Sequence, residues 1–84
     1  MKEPQMIVKT TDELGRLVRA TRKSQALTQQ RLAAGSGTGV RFISDLENGK
    51  PTIELGKVLA VLNALGLKLE VTPRAYVKRL KDAS

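Results

Sequence analysis

Three glycines within five residues, Gly35-Ser36-Gly37-Thr38-Gly39, divide two short segments that each read as a helix. So dense a cluster permits a tight turn and rules out one long helix or a regular strand through the middle of the chain. It is not a phosphate-cradling loop, because the Gly-Lys-Ser/Thr ending is missing. Before it, Thr28 is placed to cap a helix from Gln29 to Ala34, with Leu32 and Ala33 inward and Leu27 just ahead of the cap. After it, the spacing predicts a helix from about Val40 to Glu47, stopped by Asn48-Gly49. On that helix Phe42, Ile43 and Leu46 share one arc and belong to the core. Arg41, Ser44, Asp45 and Asn48 share the other arc, and Val40 lies between the two, exposed.

The flanks extend this pattern. Thr11 or Asp12 can cap a helix that begins near Glu13, whose core face is Leu14, Leu17, Val18 and Thr21. Arg16, Arg19 and Lys23 fall on its opposite face. Beyond Pro51, Thr52 is expected to cap a fourth helix reaching about Leu65. This helix is apolar on nearly every side, with Ile53, Leu55, Val58, Leu59, Val61, Leu62 and Leu65. A helix of that kind must be covered on both sides, which in so small a domain points to a second subunit. Gly66 ends it, and Leu67 to Thr72 then alternates strictly, as a strand does. A lone strand leaves its backbone groups unpaired. It can pair with Met6-Ile7-Val8 of the same chain, or with its own copy about a two-fold axis. The second solution is preferred, because it sets Lys68 opposite Glu70 of the other chain. From Pro73 the chain is basic, and Tyr76, Val77 and Leu80 could form a small apolar stripe there.

Composition narrows the function. The chain has 84 residues, enough for one small domain. Neither cysteine nor histidine is present, so no disulfide can staple it. The commonest general base and metal ligand are also lacking. The eight carboxylates are scattered, and no catalytic constellation emerges. The expectation is a non-enzyme without cofactor, metal or small-molecule substrate. The net charge of +7 points instead to a polyanionic partner. No acid falls between Glu13 and Asp45, whereas Arg16, Arg19, Arg22, Lys23, Arg31 and Arg41 do, which suggests a basic patch. The first residues lack the apolar core of a signal peptide, and the apolar run Val58 to Leu69 is broken by Asn63, Gly66 and Lys68. A cytoplasmic location is expected.

Two short helices joined by a glycine turn, the second exposed on its outer side, form the layout in which the second helix enters the DNA major groove. The candidate contact residues are Thr28, Gln29, Gln30, Gly39, Val40, Arg41, Ser44, Asp45, Asn48 and Lys50. Thr28 and Gln29 stand at a helix N-terminus, where free N–H groups and the dipole favour a phosphate. The Gln29 amide can donate to phosphate or to a base edge. Arg41 can reach guanine O6 and N7, and Val40 can touch a thymine methyl. Ser44 and Asn48 can contact bases or backbone, and Lys50 is placed for a phosphate. Asp45 can accept from cytosine N4 or simply repel phosphate.

The run Leu27-Thr28-Gln29-Gln30-Arg31-Leu32-Ala33, followed by Ile43-Ser44-Asp45-Leu46-Glu47-Asn48-Gly49-Lys50, resembles the Xre/Cro/phage-repressor helix-turn-helix family. The resemblance spans Leu14 to Leu65 and implies an all-α, lambda-repressor-like bundle of about four helices that binds short palindromic operators. It also implies that Gln29, Val40, Arg41 and Asp45 occupy operator-contact positions and that Glu47 is a buried structural glutamate. Ser36 and Thr38 depart from the family's apolar residues beside the turn glycine, and Gly39 replaces its usual Ser/Thr cap. A narrower similarity includes the arm Met6-Ile7-Val8-Lys9-Thr10 and the segment Ala64 to Val71. It is to the HipB-type antitoxins, in which a C-terminal strand from each subunit joins an intermolecular sheet. It implies a homodimeric autorepressor of a toxin–antitoxin operon that binds a HipA-type serine/threonine kinase toxin. A stand-alone regulator without a toxin is the alternative. On this reading residues 1–10 are an arm, 11–66 the DNA-binding domain, 67–72 a dimerisation strand carried by Leu67, Leu69 and Val71, and 73–84 a basic tail.

Overall fold

The computed structural model describes residues 6–73, which form four helices: α1 (Thr11–Ser24), α2 (Gln29–Ser36), α3 (Val40–Glu47) and α4 (Leu55–Ala64). The capping expected at Thr11 or Asp12 falls one residue earlier. Thr10 accepts from the Glu13 backbone at 3.0 Å, while its own N–H donates back to the Glu13 carboxylate at 3.1 Å. That reciprocal pair satisfies two N-terminal donors at once, which neither Thr11 nor Asp12 could do with Glu13. Thr11 instead donates its hydroxyl to the Gly49 carbonyl at 2.8 Å, tying the start of α1 to the end of α3.

Helix α1 ends in a reversal in which Ala26 takes φ +58°, in the left-handed region. The Leu27 N–H returns to Arg22 O and the Ala26 N–H to Lys23 O, so the last carbonyls are satisfied. Helix α2 starts where expected, with the Thr28 hydroxyl accepting from the Arg31 N–H at 3.1 Å. It runs two residues past Ala34, because the Ser36 hydroxyl donates back to Leu32 O at 2.7 Å within the last turn. Gly37 then reverses the chain at φ +69°, a conformation glycine adopts without steric cost. Helix α3 has the expected bounds, and Gly39 precedes it without a side-chain cap.

Helix α4 begins two residues later than the Thr52 cap predicts, with Glu54 at its N-cap. Ile53 is extended and packs against the core that contains Val58. The two residues stand at the spacing of a hydrophobic staple, which fixes the entry angle of the chain more strongly than a threonine cap would.

Helix α1 packs on α3, and α2 packs on both α3 and α4. The core is Val18, Leu32, Ala33, Ile43, Leu46, Val58, Val61, Leu62 and Leu65, with Leu14, Leu27, Phe42, Ile53 and Leu67 packed around it. Phe42 sits at the rim rather than inside, its ring 5.8 Å from the Lys57 ammonium. At Gly15 a Cβ would meet the Leu46 and Glu47 carbonyl oxygens, so only glycine lets α1 approach the end of α3 this closely.

Residues Leu67 to Thr72, expected as a strand, are extended but form no strand among the described residues, and Met6 to Val8 does not pair with them. The last backbone bond there is Leu67 N–H to Leu62 O at 2.8 Å. A strand exists only through a ladder partner, and the described residues supply none. The alternation is nevertheless visible in the side chains. Lys68 and Glu70 lie together, 3.4 Å apart, while Leu69 and Val71 are 55% and 88% exposed. The stripe of Tyr76, Val77 and Leu80 lies outside the described residues. No described helix is long and apolar enough to cross a membrane.

Candidate nucleic-acid interface

The glycine turn sets the N-terminus of α2 and the outer side of α3 on one connected stretch of surface. Thr28 and Gln30 are exposed and Gln29 is half-buried. Thr28 satisfies the Arg31 N–H, so the backbone N–H groups of Gln29 and Gln30 stay without a partner among the described residues. On α3, Val40 and Arg41 are exposed, Ser44 and Asp45 half-buried, and Asn48 and Lys50 exposed, with Gly39 exposed at the helix entry. Ile43 and Leu46 point the other way, into the core. The arc assignment made from helical spacing holds for Ile43 and Leu46, whereas Phe42 stays half-buried at the rim.

Four of these side chains are already engaged, in two pairs. The Lys50 ammonium lies 3.6 Å from Asp45, which offsets the negative charge that made Asp45 awkward on a DNA-facing surface. Asn48 donates weakly to the Ser44 hydroxyl at 3.5 Å. Arg41 forms no ion pair among the described residues and keeps its donors available.

Arg22 does not join the basic surface. It is buried, and its guanidinium grips the Glu47 carboxylate with two bonds, Nε to Oε2 at 2.6 Å and Nη2 to Oε1 at 2.9 Å. A third bond runs from Nη1 to the Leu27 carbonyl at 2.9 Å. Burial alone would push the Glu47 carboxyl up. The hydrogen bonds from Arg22 and Gln29, with the charges of Arg22 and Arg19, outweigh it and hold the group below the ordinary carboxylate range. Arg22 is correspondingly raised by its bond to Glu47, against the opposing effect of burial. Every buried side-chain polar atom among the described residues has a partner. The signal for Arg22 was in the sequence, since it stands four residues after buried Val18 and so on the inner side of α1. Counting charge along the chain hid it.

Gln29 is also held from within, its Nε2 donating to Glu47 Oε1 at 3.2 Å. The amide read as free for DNA is thus anchored at one N–H. A groove lies elsewhere, between the arm and α1, lined by Met6, Ile7, Val8, Leu17 and Ala20 with Glu13 and Arg16 beside them.

Residues 18–71 match the family model described as helix-turn-helix. The chain belongs to the helix-turn-helix family of transcriptional regulators. This helix-turn-helix regulator is 52% identical over 64 residues to the uncharacterized HTH-type transcriptional regulator y4mF of Sinorhizobium fredii (strain NBRC 101917 / NGR234), covering 76% of the chain and 84% of y4mF. It is 29% identical over 72 residues to y4dL of the same strain, covering 86% of the chain but only 37% of y4dL. Among solved structures it superposes on the HipB–O4 20mer complex with a TM-score of 0.76 at 22% identity, covering 82% of this chain and 97% of that one. A chain of the HipA–HipB–O2–O3 complex gives a TM-score of 0.76 at 22% identity, with the same coverage. These likenesses show that the fold of the regulator is that of the HipB chains.

Proposed function

We propose that this protein is a dimeric, operator-binding repressor that serves as the antitoxin of a toxin–antitoxin operon, repressing its own promoter and binding a HipA-type serine/threonine kinase toxin. The observation that carries the DNA half is the outer side of α3, which offers Arg41, Val40, Ser44 and Asn48 next to unpartnered N–H groups at the start of α2. Thr28, Gln30, Gly39 and Lys50 hold phosphates in this reading, and Arg41 reads a guanine through O6 and N7. Asp45 accepts from a cytosine once Lys50 turns to the backbone.

The dimer is supported by apolar surface that the described residues leave uncovered. On α4, Leu55 is 63% exposed and Leu59 is exposed beside it, and both Leu69 and Val71 project beyond that helix. Pairing Leu67 to Thr72 with its own copy satisfies the unpaired backbone and covers the apolar side of the segment. The kinase partner is supported by the fold shared with a chain of the HipA–HipB–O2–O3 complex. A stand-alone regulator is the second reading, favoured by the higher identity to y4mF, which is described only as a transcriptional regulator.

The test combines DNA binding with recovery of partners from the native host. The expected result is a palindromic site bound with an affinity that falls steeply with salt, because each neutralised phosphate releases counterions. Arg41→Ala should abolish preference at one base pair per half-site, about 1–3 kcal/mol of discrimination, while leaving the dimer intact. A stoichiometric kinase-like protein recovered with the regulator supports the antitoxin role. Recovery of DNA alone, with the neighbouring reading frame expressed, supports the stand-alone regulator.

A further inference from the structure

We propose that Gln25 is a positioning residue that fixes the direction in which the Leu67 to Thr72 segment leaves the domain, and so sets the half-site spacing that the dimer accepts. The inference rests on the dimeric, DNA-binding reading above. Gln25 is the C-cap of α1 and Leu65 the C-cap of α4. The Gln25 side chain crosses between them, its Nε2 donating to the Leu65 carbonyl at 2.8 Å. That carbonyl has no other partner among the described residues.

The bond sits between the two halves of the proposed function. On one side, Gln25 opens the reversal through Ala26 and Leu27 that leads to the Thr28 cap of α2. On the other, Leu65 is the last residue before Gly66, at φ +77°, turns the chain out of α4. The Gly66 N–H goes to Asn63 O at 3.0 Å and the Leu67 N–H to Leu62 O at 2.8 Å, the paired bonds of a Schellman turn. Those two bonds hold the root of the segment to α4 alone. The Gln25 bond holds it to the end of α1, and through the reversal to the start of the helix-turn-helix.

Small angles matter at this root. Fully extended, a segment of this length reaches about 20 Å, so a swing of roughly 10° carries its far end about 3.5 Å. One base-pair step along the duplex is about 3.4 Å. In a two-fold dimer the two DNA-binding units must meet their half-sites together, so the angle at the root decides which spacing they accept.

The test starts from the palindromic site that the full-length protein selects from randomised duplexes. Affinity is then measured on duplexes that keep both half-sites and shorten or lengthen the spacer by a single base pair, for the unmodified protein, Gln25→Met and Gln25→Lys. Methionine keeps the length of the side chain without its donor, and lysine returns a donor. Gln25 is exposed and outside the core, so both variants are expected to fold. The expected result is a spacing preference that falls in Gln25→Met by roughly two- to tenfold, the span of a single hydrogen bond. It recovers in Gln25→Lys, with base preference inside each half-site and the dimer mass unchanged throughout. Lost stability alone lowers the active fraction at every spacing and leaves the ratio between spacings as it was. An unchanged ratio in Gln25→Met would overturn the proposal, as would a Gln25→Met protein that sediments as a monomer. An unmodified protein that binds a lone half-site with no spacing preference would instead overturn the dimeric reading itself.

Discussion

The seam between α1 and α3 and the segment from Leu67 to Thr72 are both written in short apolar patterns, yet only the first is completed among the described residues. At the seam Gly15 gives up its side chain so that two backbones can touch, and the buried Arg22 cation meets the Glu47 carboxylate. Thr11 closes the end of the seam through the Gly49 carbonyl. The segment has none of this. Its apolar side chains are exposed after Leu67, and its backbone bonds end there. Polar groups satisfied locally make a rigid element. Groups left without a partner make a surface that another molecule can complete.

The largest expected effect is at the seam. Arg22→Ala leaves the Glu47 carboxylate buried and unpaired, and should cost about 3–5 kcal/mol in urea unfolding. Replacing both partners, Arg22→Met with Glu47→Leu, should restore most of that, since removing both buried charges is often near neutral. The same pair gives the domain an acid limit. The Glu47 carboxyl is held below its ordinary value, so its contribution is fully present above the ordinary carboxylate range and is lost as pH falls through the lowered value. Urea midpoints followed downward from neutral pH should show this loss in the natural protein and not in the double variant.

Next in size is Gly15→Ala. Its methyl group meets backbone oxygens that cannot turn aside, so a cost of about 1–3 kcal/mol is expected. A loss below about 0.5 kcal/mol would mean that the seam can open without consequence and would weaken the contrast. The smallest effect on the isolated fold belongs to Leu69→Pro. This exposed position makes no backbone bond among the described residues, so monomer stability should change by no more than about 0.5 kcal/mol. The same substitution removes a ladder donor and should shift the protein to monomer in sedimentation at low micromolar concentration. A persistent dimer would mean that α4 alone joins the subunits.

Helices α2 and α3 were legible in advance because Thr28, Gly37 and the pair Asn48-Gly49 act on the residues next to them. Caps and turns need only local geometry. The outward arc of α3 followed from helical spacing for the same reason. The start of α4 was less accessible, because Ile53 packing into the core overrides the cap that Thr52 offers. Arg22 was assigned to the wrong surface, since its partner lies 25 residues away on another helix.

The sequence by itself determined where the chain turns, that Ile43 and Leu46 face inward on α3, and that basic residues outnumber acidic ones between Glu13 and Asp45. Those properties follow from single residues and their near neighbours. Only the tertiary structure decided that Arg22 is internal, that Glu47 holds Gln29, and that Lys50 shields Asp45. The first two depend on groups 25 and 18 residues apart in the chain, and the third on the turn that follows α3. A charge takes its meaning from the partner that packing brings to it.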